Sequence, residues 1–241
     1  MTFPMVLAAA LALLFGFAPA VPALEEAHPG SGDTPAPAGS SGPETPGRQG
    51  EAELEKAKKA LLAGENADGD EARTALYEQA AEHAEKAVAL IPDDANAHFV
   101  LFAARGRVAQ MGGLASAALA LSSLNEQLDE VLRLDPNHAD ALASRGGILV
   151  KLPRLLGGNT SEGIRYLERA NELSPNGAGK RIELAEAYEI ADRPEDALRA
   201  AQQAVVIAER KKEAEKLLRA RELVERLEDA CKGCALAAPV H

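Results

Sequence analysis

Three stretches of the chain close in the same way: AEKAVALIPDDANA at 84–97, LDEVLRLDPNHADA at 128–141 and LERANELSPNGAGK at 167–180. Each is a run with apolar residues at helical spacing that stops on a proline (Pro92, Pro136 or Pro175), with Asp or Asn next and a new helical pattern soon after. A proline removes a backbone donor and pushes its predecessor out of helical geometry, so it ends a helix. The prolines stand 44 and 39 residues apart, room for two helices and a turn. Hairpins of that size cannot bury their apolar faces alone and have to stack on one another. The chain is therefore expected to be all-α.

The small and large residues inside these runs resemble the tetratricopeptide repeat (TPR), whose period is about 34. In the last unit the resemblance is carried by Leu184, Ala185, Tyr188, Ala197, Ala201 and Ala204. The unit ending at Pro175 contributes Gly146, Leu167 and Ala170, and the unit ending at Pro92 contributes Ala80, Ala84 and Ala87. In the unit ending at Pro136 it rests on Met111, Gly112 and a Leu124/Leu128/Val131 seam. The resemblance implies a right-handed α-solenoid of about four TPR-like helical hairpins with a long C-terminal capping helix. It also implies a scaffold, because that fold hosts recognition far more often than chemistry. Periodicity places the helices at about 51–63, 71–91, 95–111, 114–134, 138–152, 160–173, 178–192 and 195–230.

Composition divides the rest. Residues 1–23 carry no charged side chain and an apolar run from Met5 to Phe17, followed by small residues at Val21 and Ala23. This reads as a signal peptide cut before Leu24 or, if retained, as an N-terminal membrane anchor. A periplasmic or secreted location follows in the first case and a membrane-anchored one in the second. Residues 24–50 are rich in Pro, Gly and Ser, too polar to bury much surface, and read as a disordered linker. Residues 51–230 form the helical repeat domain and 231–241 a C-terminal tail.

With 26 basic against 37 acidic residues and a net charge of −11, no dense basic stripe is present to neutralise a phosphate backbone, which argues against nucleic acid. Tyr77, Phe99, Phe102, Tyr166 and Tyr188 are the aromatics of the repeat region, too few for a base-stacking platform.

The stretch KLPRLLGGNTSEG at 151–163 interrupts the helical pattern with a proline and a glycine pair. It lacks the lysine and the second spaced glycine of a phosphate-binding loop and follows a helix rather than a strand. It reads as a long turn that holds the excess over a 34-residue period. Gly157 or Gly158 would supply a positive φ, and Thr160 or Ser161 would cap the next helix. The loop together with GIRYLERANELSP is similar to exported helical repeat components of tripartite periplasmic transporters and to the regulator of microtubule dynamics family.

Other candidate chemistry is thin. GENADGDEA at 64–72 lacks the first and last carboxylates of a calcium loop, and reads as a solvated loop with Asp70 capping the next helix. The five histidines form no helical i, i+4 pair, and His138 is placed to start a helix; no metal site, cofactor or catalytic residue is assigned. Cys231 and Cys234 form the one thiol pair, at a helix C-terminus rather than the N-terminus that would activate a thiol.

In the last helix, Leu217, Ala220, Val224, Leu227 and Cys231 make either the packed face of a cap or a short seam for a homodimer. The partner-binding groove is expected along the first helices of the hairpins, with Arg105, Arg145, Lys151, Arg181 and Tyr188 on it, each Arg able to clamp a carboxylate of a protein or peptide. The function that follows is an exported non-catalytic scaffold that binds a protein or peptide in a concave groove. The alternative is a periplasmic accessory component of solute transport or envelope assembly that handles a small ligand.

Overall fold

A computed structural model describes residues 45–230 of the chain. Cys231, Cys234, the apolar N-terminal run and most of the Pro/Gly/Ser-rich segment lie outside the described residues. The chain divides at Pro136/Asn137 into two compact units. The described residues hold nine α-helices and no strand.

The N-terminal unit contains α1 (Pro46–Glu65), α2 (Asp70–Leu90), α3 (Ala95–Met111) and α4 (Gly113–Leu134). Each helix packs on its successor, and α1 also meets α3. The C-terminal unit contains α5 (Ala139–Lys151), a 3-10 turn at Arg154–Leu156, α6 (Thr160–Leu173), α7 (Ala178–Ile190), α8 (Pro194–Lys211) and α9 (Ala214–Ala230). Again successive helices pack in order, and α7 also touches the first helices on either side of it, α5 and α9. Contact confined to near neighbours in sequence is the pattern of stacked hairpins.

The packing follows from the residues at i, i+4 and i+7 on each second helix. Ala80, Ala84 and Ala87 on α2 are fully buried, as are Ala197, Ala201 and Ala204 on α8. The same places on α4 are Leu124, Leu128 and Val131, and on α6 Gly163, Leu167 and Ala170, all buried. Small side chains there let the paired helices approach closely, and the leucines fill what space remains. Asn171 ties α6 to α7: its Nδ2 donates to the Leu167 carbonyl (2.8 Å) and to the Lys180 carbonyl (3.0 Å).

The first helix begins at Pro46, five residues inside the segment expected to be linker. Thr45 caps it, its Oγ1 accepting from Arg48 N at 3.4 Å, and Pro46 takes the first turn, where a missing donor is harmless. Gly50 then lies so close to α2 that an added Cβ would stand 2.7 Å from Ile91 Cγ2. Pro46 and Gly50, whose residue types suggested a linker, are here a helix start and a close contact.

Two expected caps move by one residue. Asp70 is the first residue of α2 and contacts Arg73 (3.3 Å); Gly69 occupies the cap at φ 87°. Asn159, not Thr160 or Ser161, caps α6, with Oδ1 accepting from Glu162 N at 3.2 Å. His138 does start α5, its Nδ1 accepting from Ala141 N at 3.2 Å.

The last expected helix is in fact two. Lys212 takes a left-handed conformation (φ 59°, ψ 34°), and Glu213 N donates back to the Ala208 carbonyl at 3.0 Å. The break turns α9 back along α8, where Ala220, Leu223 and Leu227 pack on Ala197, Ala200, Ala201 and Ala204. A left-handed non-glycine residue costs about 1–2 kcal/mol, whereas burying a leucine contributes roughly 1.5–3 kcal/mol. Two buried leucines therefore outweigh one strained lysine. Ala220 and Leu227, two of the five residues of the expected dimer seam, are used inside the unit as the face of a cap.

Candidate functional site

In the C-terminal unit α7 touches both α5 and α9, the first helices on either side of it, whereas the second helices α6 and α8 meet at most marginally. In a stack, the more crowded layer is the inner side of the bend, so α5, α7 and α9 form the inner face of this unit. Residues three and four apart share a helix face. On α5 that rule aligns Asp140, Ser144, Gly147 and Lys151, and on α7 it aligns Lys180, Glu183 and Glu186.

The two rows meet through ions. Lys180 Nζ lies 2.6 Å from Asp140 Oδ1, joining α7 to α5. Arg219 on α9 reaches Glu186 at 2.7 Å and Arg226 reaches Glu189 at 2.9 Å, joining α9 to α7.

Glu183 stands in the middle of this array, and its Oε2 is buried with no hydrogen-bond partner. Burial pushes the Glu183 carboxyl up to about 8, against the pull of Lys180 and Lys151. Burial likewise holds Lys151 below the usual ammonium range, opposed by Glu186 and Glu183. At neutral pH the central carboxyl is therefore protonated, beside a lysine that is itself partly desolvated. Such a group can donate or accept a hydrogen bond and can change its charge when a charged partner arrives.

The residues expected to line a groove have different surroundings. Lys151 belongs to the array just described, and Arg145 is half-buried on α5 beside Ser144. Tyr188 is directed elsewhere: its hydroxyl donates to Glu168 Oε1 on α6 at 2.8 Å, and the Arg193 guanidinium lies 4.3 Å from its ring centroid. Burial, helped by Glu168, pushes the Tyr188 phenol up to about 12. Arg181 lies seven residues before Tyr188 on the same helix, its Nε is buried without a partner, and burial lowers its pKa. Arg105 belongs to the N-terminal unit and pairs with Glu85 at 3.0 Å.

Asp140, Lys180, Glu183, Glu186 and Arg219 escaped the sequence reading. The i, i+3 spacing of Lys180, Glu183 and Glu186 was available in the sequence, but solvated helix faces elsewhere in the chain show the same spacing. Among the described residues no group of His, Cys, Asp or Glu is arranged to hold a metal, and no helix is long and apolar enough to cross a membrane.

Comparison with known proteins gives likenesses of fold. A thermophilic TPR protein of Thermus thermophilus is similar at 24% identity over 77% of this chain and 91% of that one, with a TM-score of 0.48. MamA of Desulfovibrio magneticus RS-1, residues 41 to the end, is similar at 18% identity over 77% and 98%, TM-score 0.46. A further MamA structure shares 16% identity over 80% and 100%, TM-score 0.43. No family model matches the chain, and no curated protein matches it. The hairpin architecture is read from the chain's own helices.

Proposed function

We propose that the protein is a non-catalytic helical-repeat scaffold that holds a protein or peptide partner on the inner face of its C-terminal unit. The observation that carries this reading is the unpartnered Glu183 Oε2, set between Lys151, Lys180 and Arg219 where three helices meet. A buried polar atom without a partner costs roughly 1–3 kcal/mol, and a partner's donor or acceptor would recover that. The α5–α6 loop does not offer a small ligand an enclosure, because its backbone closes on itself: an added Cβ at Gly158 would lie 1.7 Å from the Leu152 carbonyl oxygen. Export through residues 1–23 remains part of the proposal and rests on their composition.

The test is native mass spectrometry of the full chain purified gently from its own host, beside two variants. Lys151→Met with Arg219→Gln alters the inner face; Arg105→Gln alters a surface residue of the other unit. A stoichiometric protein partner retained by Arg105→Gln and lost by the double variant is the expected result. Equal capture by both folded variants would remove the inner face from the function. A bound small molecule without a partner would transfer the proposal to ligand handling.

A further inference from the structure

The loop between α5 and α6 presents two leucines to solvent on a fixed frame. Leu155 is 84% exposed and Leu156 44%. The frame is made by backbone bonds: Leu156 N and Gly158 N donate to the Pro153 carbonyl (2.8 and 3.1 Å), Gly157 N donates to the Arg154 carbonyl (3.2 Å), and Asn159 N donates to the Leu149 carbonyl (2.8 Å). Leu152 is buried below them. Two adjacent exposed leucines on so constrained a turn have their ordering entropy already spent, which favours docking. Arg154 beside them is exposed, and its side chain makes no ion pair or hydrogen bond among the described residues.

The same unit carries a receiving shape. Between α8 and α9 lies an open groove of about 280 Å³ with Val205 and Val224 as its floor and Gln202, Arg221, Glu225 and Glu228 on its rim. An apolar cavity of roughly 150 Å³ accepts benzene, so this groove has room for leucine side chains. Glu225 and Glu228 are exposed and carry no ion pair among the described residues. No residue of the 152–159 loop lines the groove, so the loop does not fill it within its own chain.

We propose that the protein self-associates head to tail, Leu155 and Leu156 of one copy entering the Val205/Val224 groove of the next while Arg154 meets Glu225 and Glu228. An apolar tip beside an exposed cation complements an apolar floor rimmed by exposed carboxylates. The two surfaces are different, so each association leaves one tip and one groove open, and copies add into a row or close into a ring. A contact this small is weak, with a dissociation constant on the order of tens to hundreds of micromolar. It is distinct from the inner face of α5, α7 and α9 and leaves that face open.

Sedimentation velocity of the full chain at physiological salt, from about ten to several hundred micromolar, tests it. The tip variant carries Leu155→Ser and Leu156→Ser, and the groove variant carries Glu225→Lys and Glu228→Lys. All four positions are exposed, and circular dichroism checks that the fold is kept. The wild-type chain should grow past dimer with concentration, and each variant should associate at least about tenfold more weakly. An equimolar mixture of the two variants should form heterodimers and stop there, because only one intact tip and one intact groove remain between them. A mixture without heterodimers, a variant that assembles like wild type, or a wild-type chain monomeric throughout overturns the proposal. Association that appears only after removal of residues 231–241 gives the groove to that segment instead. Monomers that bind lipid vesicles through Leu155 and Leu156 give the tip to a membrane. Either result also overturns self-association.

Discussion

Gly146 on α5 and Gly163 on α6 face each other backbone to backbone: a Cβ added to either would lie 2.7 Å from the carbonyl oxygen of the other. No side chain stands between the two helices at that point, so the hairpin closes on bare peptide groups. Leu167 and Val150 pack directly beside the contact.

The pair makes a prediction of opposite signs for one chemical change. Gly146→Ala should destabilise the protein by roughly 1–3 kcal/mol, because backbone cannot move aside as a side chain can. Gly106→Ala on α3, where an added Cβ meets nothing within 4 Å, should stabilise it by about 0.5–1 kcal/mol through helix propensity. Urea denaturation of both variants checks this, and a stabilising Gly146→Ala would show that the close approach in the hairpin is wrong.

Lys212 holds a left-handed conformation at the break between α8 and α9. Lys212→Gly should remove the steric penalty and, after the loss of chain entropy, raise stability by about 0.5–1 kcal/mol. Thermal unfolding measures it. Loss of stability would mean that α8 and α9 are one continuous helix, since glycine in a helix interior costs about 1 kcal/mol.

Glu183 predicts a pH dependence whose direction is fixed by its burial. Its carboxyl is raised to about 8 in the folded protein from 4.5, so between those values the folded state holds a proton that the unfolded state has released. Stability from this group is intact below about 4.5, falls as pH rises through that window, and is level above 8. Glu183→Gln keeps the neutral shape and cannot ionise. The variant should gain on wild type as pH rises from 5 to 9, by roughly 1–3 kcal/mol at the upper end. Denaturation midpoints at three pH values decide the matter, and a constant difference between the proteins would place Glu183 in solvent.

Tyr188→Phe should remove the hydrogen bond to Glu168 while keeping the ring under Arg193, at a loss of about 1 kcal/mol. Partner capture by the inner face should be unchanged, because Tyr188 is directed toward α6. A large loss of capture in the stable variant would return Tyr188 to the groove where its sequence position had put it.

The helix ends were legible where the sequence punctuates them. On α2, α4 and α6 the central buried residue (Ala84, Leu128 or Leu167) is followed eight positions later by Pro92, Pro136 or Pro175, and the helix stops before it. On α8 the central residue is Ala201, and eight positions later stands Glu209, with the helix running to Lys211. Without a proline, the stop depends on how α9 folds back onto alanines, which is tertiary information. The start of α1 was hidden for the opposite reason, since Pro46 and Gly50 belong to a compositional run that reads as linker. The inner face was half legible. Lys151 was named from its place on a first helix, whereas Glu183 differs from the chain's many other acids only in being enclosed by helices distant in sequence.

The two hairpins of the C-terminal unit differ mainly in one connection. α5 and α7 are both 13 residues long, yet eight residues join α5 to α6 and three join α7 to α8. The extra five are the whole difference between a 39-residue spacing and a 34-residue one, and they leave the register of the flanking helices untouched. That connection is a natural port for grafting: foreign peptide spliced between Leu152 and Asn159 would be displayed from a scaffold whose packing never has to learn of the exchange.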